Sequence, residues 1–172
     1  MKALGYCRFC GRELVLKTLL DGSQEKYCPE CDHVFFDEPS PAVIVAVTNT
    51  DRILLTRSVG WDHSYWGMVA GHIKSGETAE EAAVREVSEE VGLTVSIPEF
   101  LGTFALKDRN LLLIGFRAET ASLDIGKSQE LEKAEWFSIH EPLPLRPGSA
   151  SAQIMAKIFP DTELVEAEEG IH

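Results

Sequence analysis

Three carboxylates stand close together in one short segment of the chain, at Glu86, Glu89 and Glu90. If this segment is helical, Glu86 and Glu90 lie one turn apart on the same side and Glu89 lies beside them. Like charges this close repel each other unless a cation compensates. Mg²⁺ takes oxygen ligands and keeps positions open for phosphate oxygens and water. The spacing therefore predicts a divalent-metal site that polarises a phosphoryl group and lowers the pKa of a bound water.

The neighbouring residues predict the helix that positions these carboxylates. Thr78 can act as its N-cap, and Glu81, three residues later, completes a capping box. Gly92 stands where a left-handed C-cap is expected. An apolar stripe facing a core is predicted for three valines, Val84, Val87 and Val91. The loop from Gly71 to Gly76 is rich in glycine, so its backbone can come close to a ligand.

Arg85 precedes the first of the three carboxylates. A guanidinium stays charged and forms forked hydrogen bonds, so we expect it to hold Glu77 or one of the helix carboxylates in place. For any single glutamate, an ordinary solvent-facing role on an amphipathic helix is the alternative. The pattern of glycines, Glu77, Arg85 and carboxylates in one register favours the metal site.

Written out, residues 71–93 read G-x5-E-x7-R-E-U-x-E-E-x-G-U, where U is aliphatic and every fixed position is filled. This segment resembles the Nudix box, the signature of hydrolases that cut a diphosphate linked to another moiety. The resemblance implies Glu86 and Glu90 as metal ligands, with Glu89 either a further ligand or the residue that holds the attacking water. It also implies that the Ala70 carbonyl binds metal.

A further carboxylate is implied downstream of the box. In the resembling family a ligand glutamate lies six residues before a tryptophan, and Glu130 stands six residues before Trp136. Glu130 is therefore a candidate metal ligand or base. Its surroundings, SQELEKAEW, are acidic, so an ordinary surface position is the alternative.

All four cysteines fall in the first 31 residues, as two C-x2-C pairs: Cys7, Cys10, Cys28 and Cys31. Paired knuckles at this separation supply four thiolates to a structural zinc ion, with Gly11 in the first knuckle turn. Disulfides are the alternative, but the start of the chain has no apolar signal segment, so we expect a reducing, cytoplasmic setting. A four-thiolate site has no open position, so this Zn²⁺ should stabilise a small β ribbon over residues 1–37.

A zinc ribbon placed before a Nudix domain resembles the bacterial NADH pyrophosphatase group, over about residues 7–159. That group carries a Ser-Gln-Pro-Trp-Pro-Phe-Pro motif after the box, whereas residues 103–112 read TFALKDRNLL. ADP-ribose and FAD are therefore substrate candidates beside NAD(H). The resemblance makes Phe36 a substrate-contacting aromatic, with a core position as the alternative. Trp61 in the SVGWDHS loop, with Gly71, is expected to line the substrate site.

Six apolar runs rich in β-forming residues predict strands: AVIVAVTNT, RILLTRS, YWGMVAG, TVSIPEFLGTF, LLLIGFRAET and AEWFSI. The segment KDRN predicts a turn. Ser149 or Ser151 should cap a second helix that ends at Pro160. Strands around a helix that carries the chemistry predict a mixed-sheet α/β/α sandwich over residues 38–160. The last residues, 161–172, are acidic and are expected to form a disordered tail.

The formal charge of −12 argues against a broad nucleic-acid surface, and no apolar run is long enough to span a membrane. We therefore expect a Mg²⁺- or Mn²⁺-dependent pyrophosphohydrolase that acts on a small nucleotide and releases a nucleoside monophosphate. A homodimer is expected only from the resemblance. Two alternatives remain: a nucleoside triphosphate or RNA-cap pyrophosphatase, and a non-catalytic module that senses nucleotide.

Overall fold

The computed structural model describes residues 5–165. It divides the chain into two compact units, of which the first ends at Pro39 and the second begins at Ser40. Along the described chain, no helix is long and apolar enough to cross a membrane.

The first unit is a small antiparallel sheet of three strands in the order β1-β2-β3. These are β1 (Val15–Thr18), β2 (Gln24–Cys28) and β3 (His33–Phe35). Strands β1 and β2 form a hairpin, and Asp21 stabilises its turn by accepting the Ser23 backbone N–H at 3.0 Å and the Ser23 hydroxyl at 2.8 Å. The buried apolar cluster contains only Cys7, Leu14 and Cys28, with Phe35 against it. So little apolar burial cannot stabilise this unit alone.

The second unit contains one mixed sheet with the order β7-β8-β4-β5-β9, and β6 pairs with β4. Its strands are β4 (Ser40–Asn49), β5 (Arg52–Ser58), β6 (Val69–His72), β7 (Glu99–Leu106), β8 (Leu111–Glu119) and β9 (Leu131–Ser138). Strands β4 and β8 run parallel along nine residue pairs, whereas the other pairings are antiparallel. A single parallel pair within an antiparallel sheet is the mixed sheet that the sequence predicts.

Two helices, α1 (Ala79–Val91) and α2 (Ala150–Ile158), cover the two faces of this sheet. Alternate residues of β4 face opposite sides, as the twofold period of a strand requires. Val43 and Val45 pack in the cluster that contains Val87 of α1. Ile44 packs in the cluster that contains Ile154 of α2. The predicted α/β/α sandwich is therefore confirmed.

The predicted helix caps are present. The Thr78 hydroxyl accepts the Glu81 N–H at 3.2 Å, and the Glu81 carboxylate accepts the Thr78 N–H at 2.8 Å. Gly92 has φ 67°, which an L side chain rarely adopts, and its N–H bonds the Ser88 carbonyl. Ser149 caps α2, which ends two residues before Pro160.

The predicted valine stripe on α1 is wrong at one position. Val84 is 39% exposed, whereas Val87 and Val91 are buried together with Ala82 and Ala83. At about 100° per residue, Val84 lies at the margin of the face centred on Ala83 and Val87. The two alanines allow α1 to approach the sheet closely.

Two predicted strands are shorter than expected. In the predicted strand YWGMVAG, regular pairing begins only at Val69, the first residue of β6. Before it, Trp66 forms an isolated bridge to Leu145, and Gly67 forms one to Thr56. From TVSIPEFLGTF, the strand begins only at Glu99, directly after Pro98. Proline has no N–H to donate to a ladder, so it ends pairing at this point.

The predicted tail is ordered in its first five residues. The Leu143 N–H donates to the Glu163 carbonyl and the Val165 N–H donates to the Leu143 carbonyl, both at 2.9 Å. These bonds contradict disorder for 161–165. The rest of the predicted tail, residues 166–172, lies outside the described residues.

Candidate active site and cysteine cluster

The loop between β6 and α1 brings Glu77 against Arg85. The guanidinium Nε donates to Glu77 Oε1 at 2.5 Å and Nη2 donates to Oε2 at 2.9 Å, which is the predicted fork. Arg85 and the Lys74 backbone N–H together lower the pKa of Glu77 to about 2. Glu77 is therefore ionised at neutral pH, and it locks the loop to the first turns of α1.

The rest of the Arg85 guanidinium contacts the helix carboxylates. Its Nη1 donates to Glu86 at 2.7 Å and to Glu89 at 3.0 Å, and Nη2 also donates to the His72 carbonyl at 3.0 Å. Lys74 Nζ lies 3.2 Å from the other oxygen of Glu89. Lys74 and then Arg85 lower the pKa of Glu89. The sequence reasoning had assigned no role to Lys74.

Glu90 is the inward-facing member of the group. Burial, followed by the charges of Glu86 and Glu130, raises the pKa of Glu90 to about 8, against a hydrogen bond from the Ala70 backbone that lowers it. Glu89, one residue earlier, is half exposed and has cationic partners. Two adjacent carboxylates thus have opposite electrostatic environments, as is common where acid–base chemistry occurs.

Gly71 makes room for one of these carboxylates. A Cβ built on Gly71 would overlap the carboxyl group of Glu86. A side chain at this position would therefore displace Glu86 from its place beside Arg85. This contact gives Gly71 a supporting role, and its predicted contact with substrate stays a prediction.

Glu130 lies on a loop that is attached to the end of α1. The Ser128 N–H donates to the Glu90 carbonyl at 2.8 Å, and the Val59 N–H donates to the Glu130 carbonyl at 2.9 Å. Glu130 is exposed, yet its charge acts on Glu90. The fold thus brings Glu130 to the carboxylates of α1 across 40 positions of sequence.

The donor set fits a hard divalent cation. Carboxylate oxygens from Glu86, Glu89, Glu90 and Glu130, with the nearby Ala70 backbone, are the ligands that Mg²⁺ and Mn²⁺ prefer. Among the described residues, these oxygens do not converge as closely as the cysteine sulfurs do. After burial, the charges of Glu86 and Glu130 contribute to the raised pKa of Glu90, and a bound cation would offset both effects.

A cavity of about 810 Å³ opens beside Glu90 and extends to the first turn of α2. Trp61 lines this cavity, and its contact with substrate stays a prediction. The sequence analysis assigned no role to several other lining residues: His63, Tyr65, Gly67, Arg146 and Ser151. They come from segments up to 88 positions apart, including the first turn of α2, and carry no shared pattern, so only the tertiary structure brings them together.

The four cysteines form a compact cluster in the first unit. Their sulfur atoms all lie within 4.8 Å of one another, with Cys7 and Cys31 sulfurs 3.9 Å apart and those of Cys10 and Cys28 3.5 Å apart. Tetrahedral zinc with Zn–S bonds of about 2.3 Å separates its sulfurs by about 3.8 Å. The spacing is compatible with a zinc ribbon and too long for disulfides.

The backbone of the first knuckle favours the thiolate form of Cys7. Burial raises the pKa of the Cys7 thiol, but N–H groups of Cys10 and Phe9 outweigh it and bring the pKa to about 7. Gly11 follows this knuckle with φ 73°, and Asp32 follows the second with φ 47°. Phe36, which lies in the same unit, is 57% exposed, and its proposed contact with substrate stays a prediction.

Comparison with known families gives a match to the NUDIX domain over residues 38–158. The chain belongs to the Nudix family. The match includes the whole loop–helix segment organised by Arg85 and the Glu130 loop.

Curated relatives include the NAD-capped RNA hydrolase NudC of Pseudomonas putida strain GB-1, which is 34% identical over 169 residues. That alignment covers 92% of this chain and 61% of the relative. The NAD-capped RNA hydrolase NudC of Pseudomonas fluorescens strain Pf-5 is 33% identical, with 95% of this chain and 58% of the relative covered. The chain thus spans about three fifths of the length of these relatives.

Solved structures with the same fold include a Nudix hydrolase from Nitrosomonas europaea, with a TM-score of 0.76 and 21% identity. That alignment covers 94% of this chain and 96% of the other. A MutT Nudix hydrolase from Burkholderia pseudomallei has a TM-score of 0.58 and 21% identity over 70% of this chain and 98% of its own. At these identities the likeness concerns the fold.

Proposed function

We propose that the chain is a Mg²⁺- or Mn²⁺-dependent pyrophosphohydrolase that cleaves nucleoside diphosphates linked to another moiety, of the ADP-ribose, NAD(H) or FAD type. The observation that carries this proposal is the group of carboxylates on α1: Arg85 bonds Glu86 and Glu89, and Glu90 lines the 810 Å³ cavity. A cavity of this size accommodates a nucleotide-sized ligand. The curated relatives are named for hydrolysis of NAD-capped RNA, which supports a diphosphate of the NAD type as the bond that is cleaved.

In this proposal Glu86, Glu89, Glu90 and Glu130, with the Ala70 carbonyl, hold the divalent cations. When bound, the cations neutralise charge on the diphosphate and lower the pKa of coordinated water. Glu89 or Glu90 accepts the proton of the attacking water. The water oxygen bonds to one phosphorus, the anhydride P–O bond breaks, and a nucleoside monophosphate leaves. Arg85 and Glu77 position the carboxylates and do not themselves react.

For the first unit we propose a structural Zn²⁺ held by the four thiolates. Four protein ligands leave no position for substrate or water, so this ion contributes to folding. Free thiols in this arrangement suit a reducing compartment, which supports the cytoplasmic assignment. A homodimer is proposed only by resemblance, and sedimentation velocity at several protein concentrations would test it.

The deciding experiment is a substrate panel of ADP-ribose, NADH, NAD, FAD and nucleoside triphosphates, with products separated by chromatography. We expect AMP from the dinucleotides and ADP-ribose in the presence of Mg²⁺, and little pyrophosphate from the triphosphates. Pyrophosphate release as the dominant activity would favour the triphosphate alternative. Binding of ADP-ribose without any release of AMP would favour the nucleotide-sensing module.

A second candidate, hydrolysis of NAD-capped RNA, is favoured by the names of the curated relatives. The net charge of −12 opposes it, because an acidic protein gains little from contact with a phosphate backbone. Comparing kcat/KM for NAD and for a short NAD-capped RNA at two salt concentrations tests this candidate. A higher value for the capped RNA that falls steeply with salt would favour it.

A further inference from the structure

The indole of Trp61 forms one wall of the cavity beside Gly67. A Cβ on Gly67 would lie 2.9 Å from Trp61 Cη2, closer than side-chain atoms approach. Gly67 is held there by two backbone hydrogen bonds with Thr56, at 2.8 and 2.9 Å. The absence of a side chain at residue 67 therefore lets the ring lie against the cavity wall.

Ser151 contributes a hydroxyl at the same place. Its Oγ lies 4.0 Å from the position that a Gly67 Cβ would take, so Ser151 and the end of the Trp61 indole lie on the same side of Gly67. Ser151 is 7% exposed as a residue, and it lines the cavity. A ligand in the cavity can therefore form a hydrogen bond with this hydroxyl.

His63 contributes an unpaired, buried ring nitrogen next to the same indole. Its imidazole centroid lies 5.0 Å from that of Trp61. Within the described part of the chain, His63 Nδ1 is the one buried side-chain nitrogen or oxygen with no partner. The loop that carries both rings is fixed, because Arg57 donates to the His63 carbonyl at 2.5 Å and to the Tyr65 carbonyl at 3.1 Å.

We propose that Ser151 and His63 are specificity-determining residues that hydrogen-bond the polar edge of a planar heteroaromatic ring stacked on Trp61. The ring belongs to the nucleotide whose diphosphate lies at Glu90, so the inference rests on the proposed function. An aromatic face with a hydroxyl and an imidazole beside it suits a ring that is apolar on its faces and polar at its edge. A hydroxyl and an imidazole can each donate or accept, so they suit both a purine edge and a pyridine carboxamide.

The test compares NAD with two analogues, one lacking the adenine exocyclic amine and one lacking the nicotinamide carboxamide. If the altered ring of an analogue is the ring that binds beside Trp61, wild-type kcat/KM for that analogue should be roughly three- to tenfold lower than for NAD. This is the loss expected for one hydrogen bond. Ser151→Ala and His63→Phe should each lower kcat/KM for NAD, mainly through KM. In these variants the difference between NAD and that analogue should shrink. The affected analogue identifies whether adenine or nicotinamide is bound.

Ser96→Ala is the matched control, because it removes a hydroxyl that accepts the Glu119 N–H. Its kinetic constants should equal those of the wild type. An equal loss for NAD and both analogues in Ser151→Ala would overturn the inference, since a purely structural defect acts on all substrates alike. Wild-type kinetics that do not distinguish NAD from either analogue would overturn it as well.

A binding measurement separates this inference from the proposed function. Isothermal titration of AMP and of nicotinamide mononucleotide into metal-free protein does not require hydrolysis. If wild type hydrolyses no diphosphate but binds one of these more tightly than Ser151→Ala does, the ring site stands and the proposed function fails. If hydrolysis is normal and Ser151→Ala binds both nucleotides like the wild type, the function stands and the ring site fails.

Discussion

The two clusters of candidate metal ligands in this chain differ in how they are held together. The four cysteine sulfurs of the first unit converge within 4.8 Å, and backbone N–H groups of the first knuckle donate to Cys7. The carboxylates of α1 are spread over a helix face, with Arg85 and Lys74 bonded to Glu86 and Glu89. The cysteine cluster is closed and suits one zinc ion. The carboxylate cluster is open beside a cavity, and the side chains of Arg85 and Lys74 balance part of its charge.

This difference follows from what each cluster has to stabilise. The first unit has too little apolar core to fold without cross-links, so we propose that its four thiolates are all committed to one ion. The second unit has two large apolar clusters, one on each face of its sheet, which supply its core without a metal. Its carboxylates can therefore remain in an electrostatically unfavourable arrangement, which the proposed catalytic ion would relieve.

The largest expected effect comes from Glu90→Gln. We expect kcat to fall by roughly 10²- to 10⁴-fold, the range for losing an acid–base group. The melting temperature in EDTA should not fall, because the substitution removes a carboxylate that burial and like charges disfavour. Activity assays and thermal unfolding test this. Glu80→Gln, on the exposed first turn of the same helix, should leave both unchanged, and near-normal activity of Glu90→Gln would remove the site assignment.

Breaking the closed cluster should have a local structural effect. In Cys28→Ser we expect loss of bound zinc and rapid amide exchange throughout β1 to β3, because zinc binding of about 10–16 kcal/mol exceeds what so small a core provides. Amides of α1 should keep their protection. Elemental analysis and hydrogen-exchange mass spectrometry measure both. Lys26→Ser, on the same strand but exposed, is the control; full protection of the ribbon in zinc-free Cys28→Ser would contradict the comparison.

A smaller effect is expected from Gly71→Ala in the open cluster. The new methyl group would displace the Glu86 carboxyl group, and misplacing a supporting contact lowers metal affinity or activity by about 10- to 100-fold. Titration of Mn²⁺ followed by water proton relaxation measures affinity directly. Ser75→Ala, in the same loop, should bind Mn²⁺ like the wild type. Unchanged Mn²⁺ binding in Gly71→Ala would show that Glu86 is not a ligand.

The smallest effect concerns the fork between Glu77 and Arg85. Because the pKa of Glu77 is lowered to about 2 in the folded protein, its ionised form contributes stability above pH 4.5, and this contribution is lost as the pH falls towards 2. The free energy of unfolding of Glu77→Gln should therefore lie below that of wild type at pH 7 and approach it near pH 2. Urea denaturation at several pH values measures the difference. A difference that does not change with pH would exclude the ion pair as its source.

Local signals in the sequence sufficed for the elements that carry the chemistry. Thr78, Glu81 and Gly92 bound α1 because capping depends on residues within one turn. The strands of the second unit were found wherever apolar runs were continuous. The prediction that Val84 is buried was wrong because helical periodicity does not say where the centre of the buried face lies. The packing of Ala82 and Ala83 sets that centre, and Val84 falls at its margin.

The sequence by itself determined the family, the two sets of candidate ligands and the helix that presents the carboxylates, because each depends on residue type and short spacing. Only the tertiary structure decided which carboxylate is buried, which cations balance the others, and what lines the cavity. Glu130 acts electrostatically on Glu90, and Trp61 and Ser151 both lie beside Gly67, although these segments are far apart in the chain. Such contacts arise from the packing of whole elements, which no local pattern encodes.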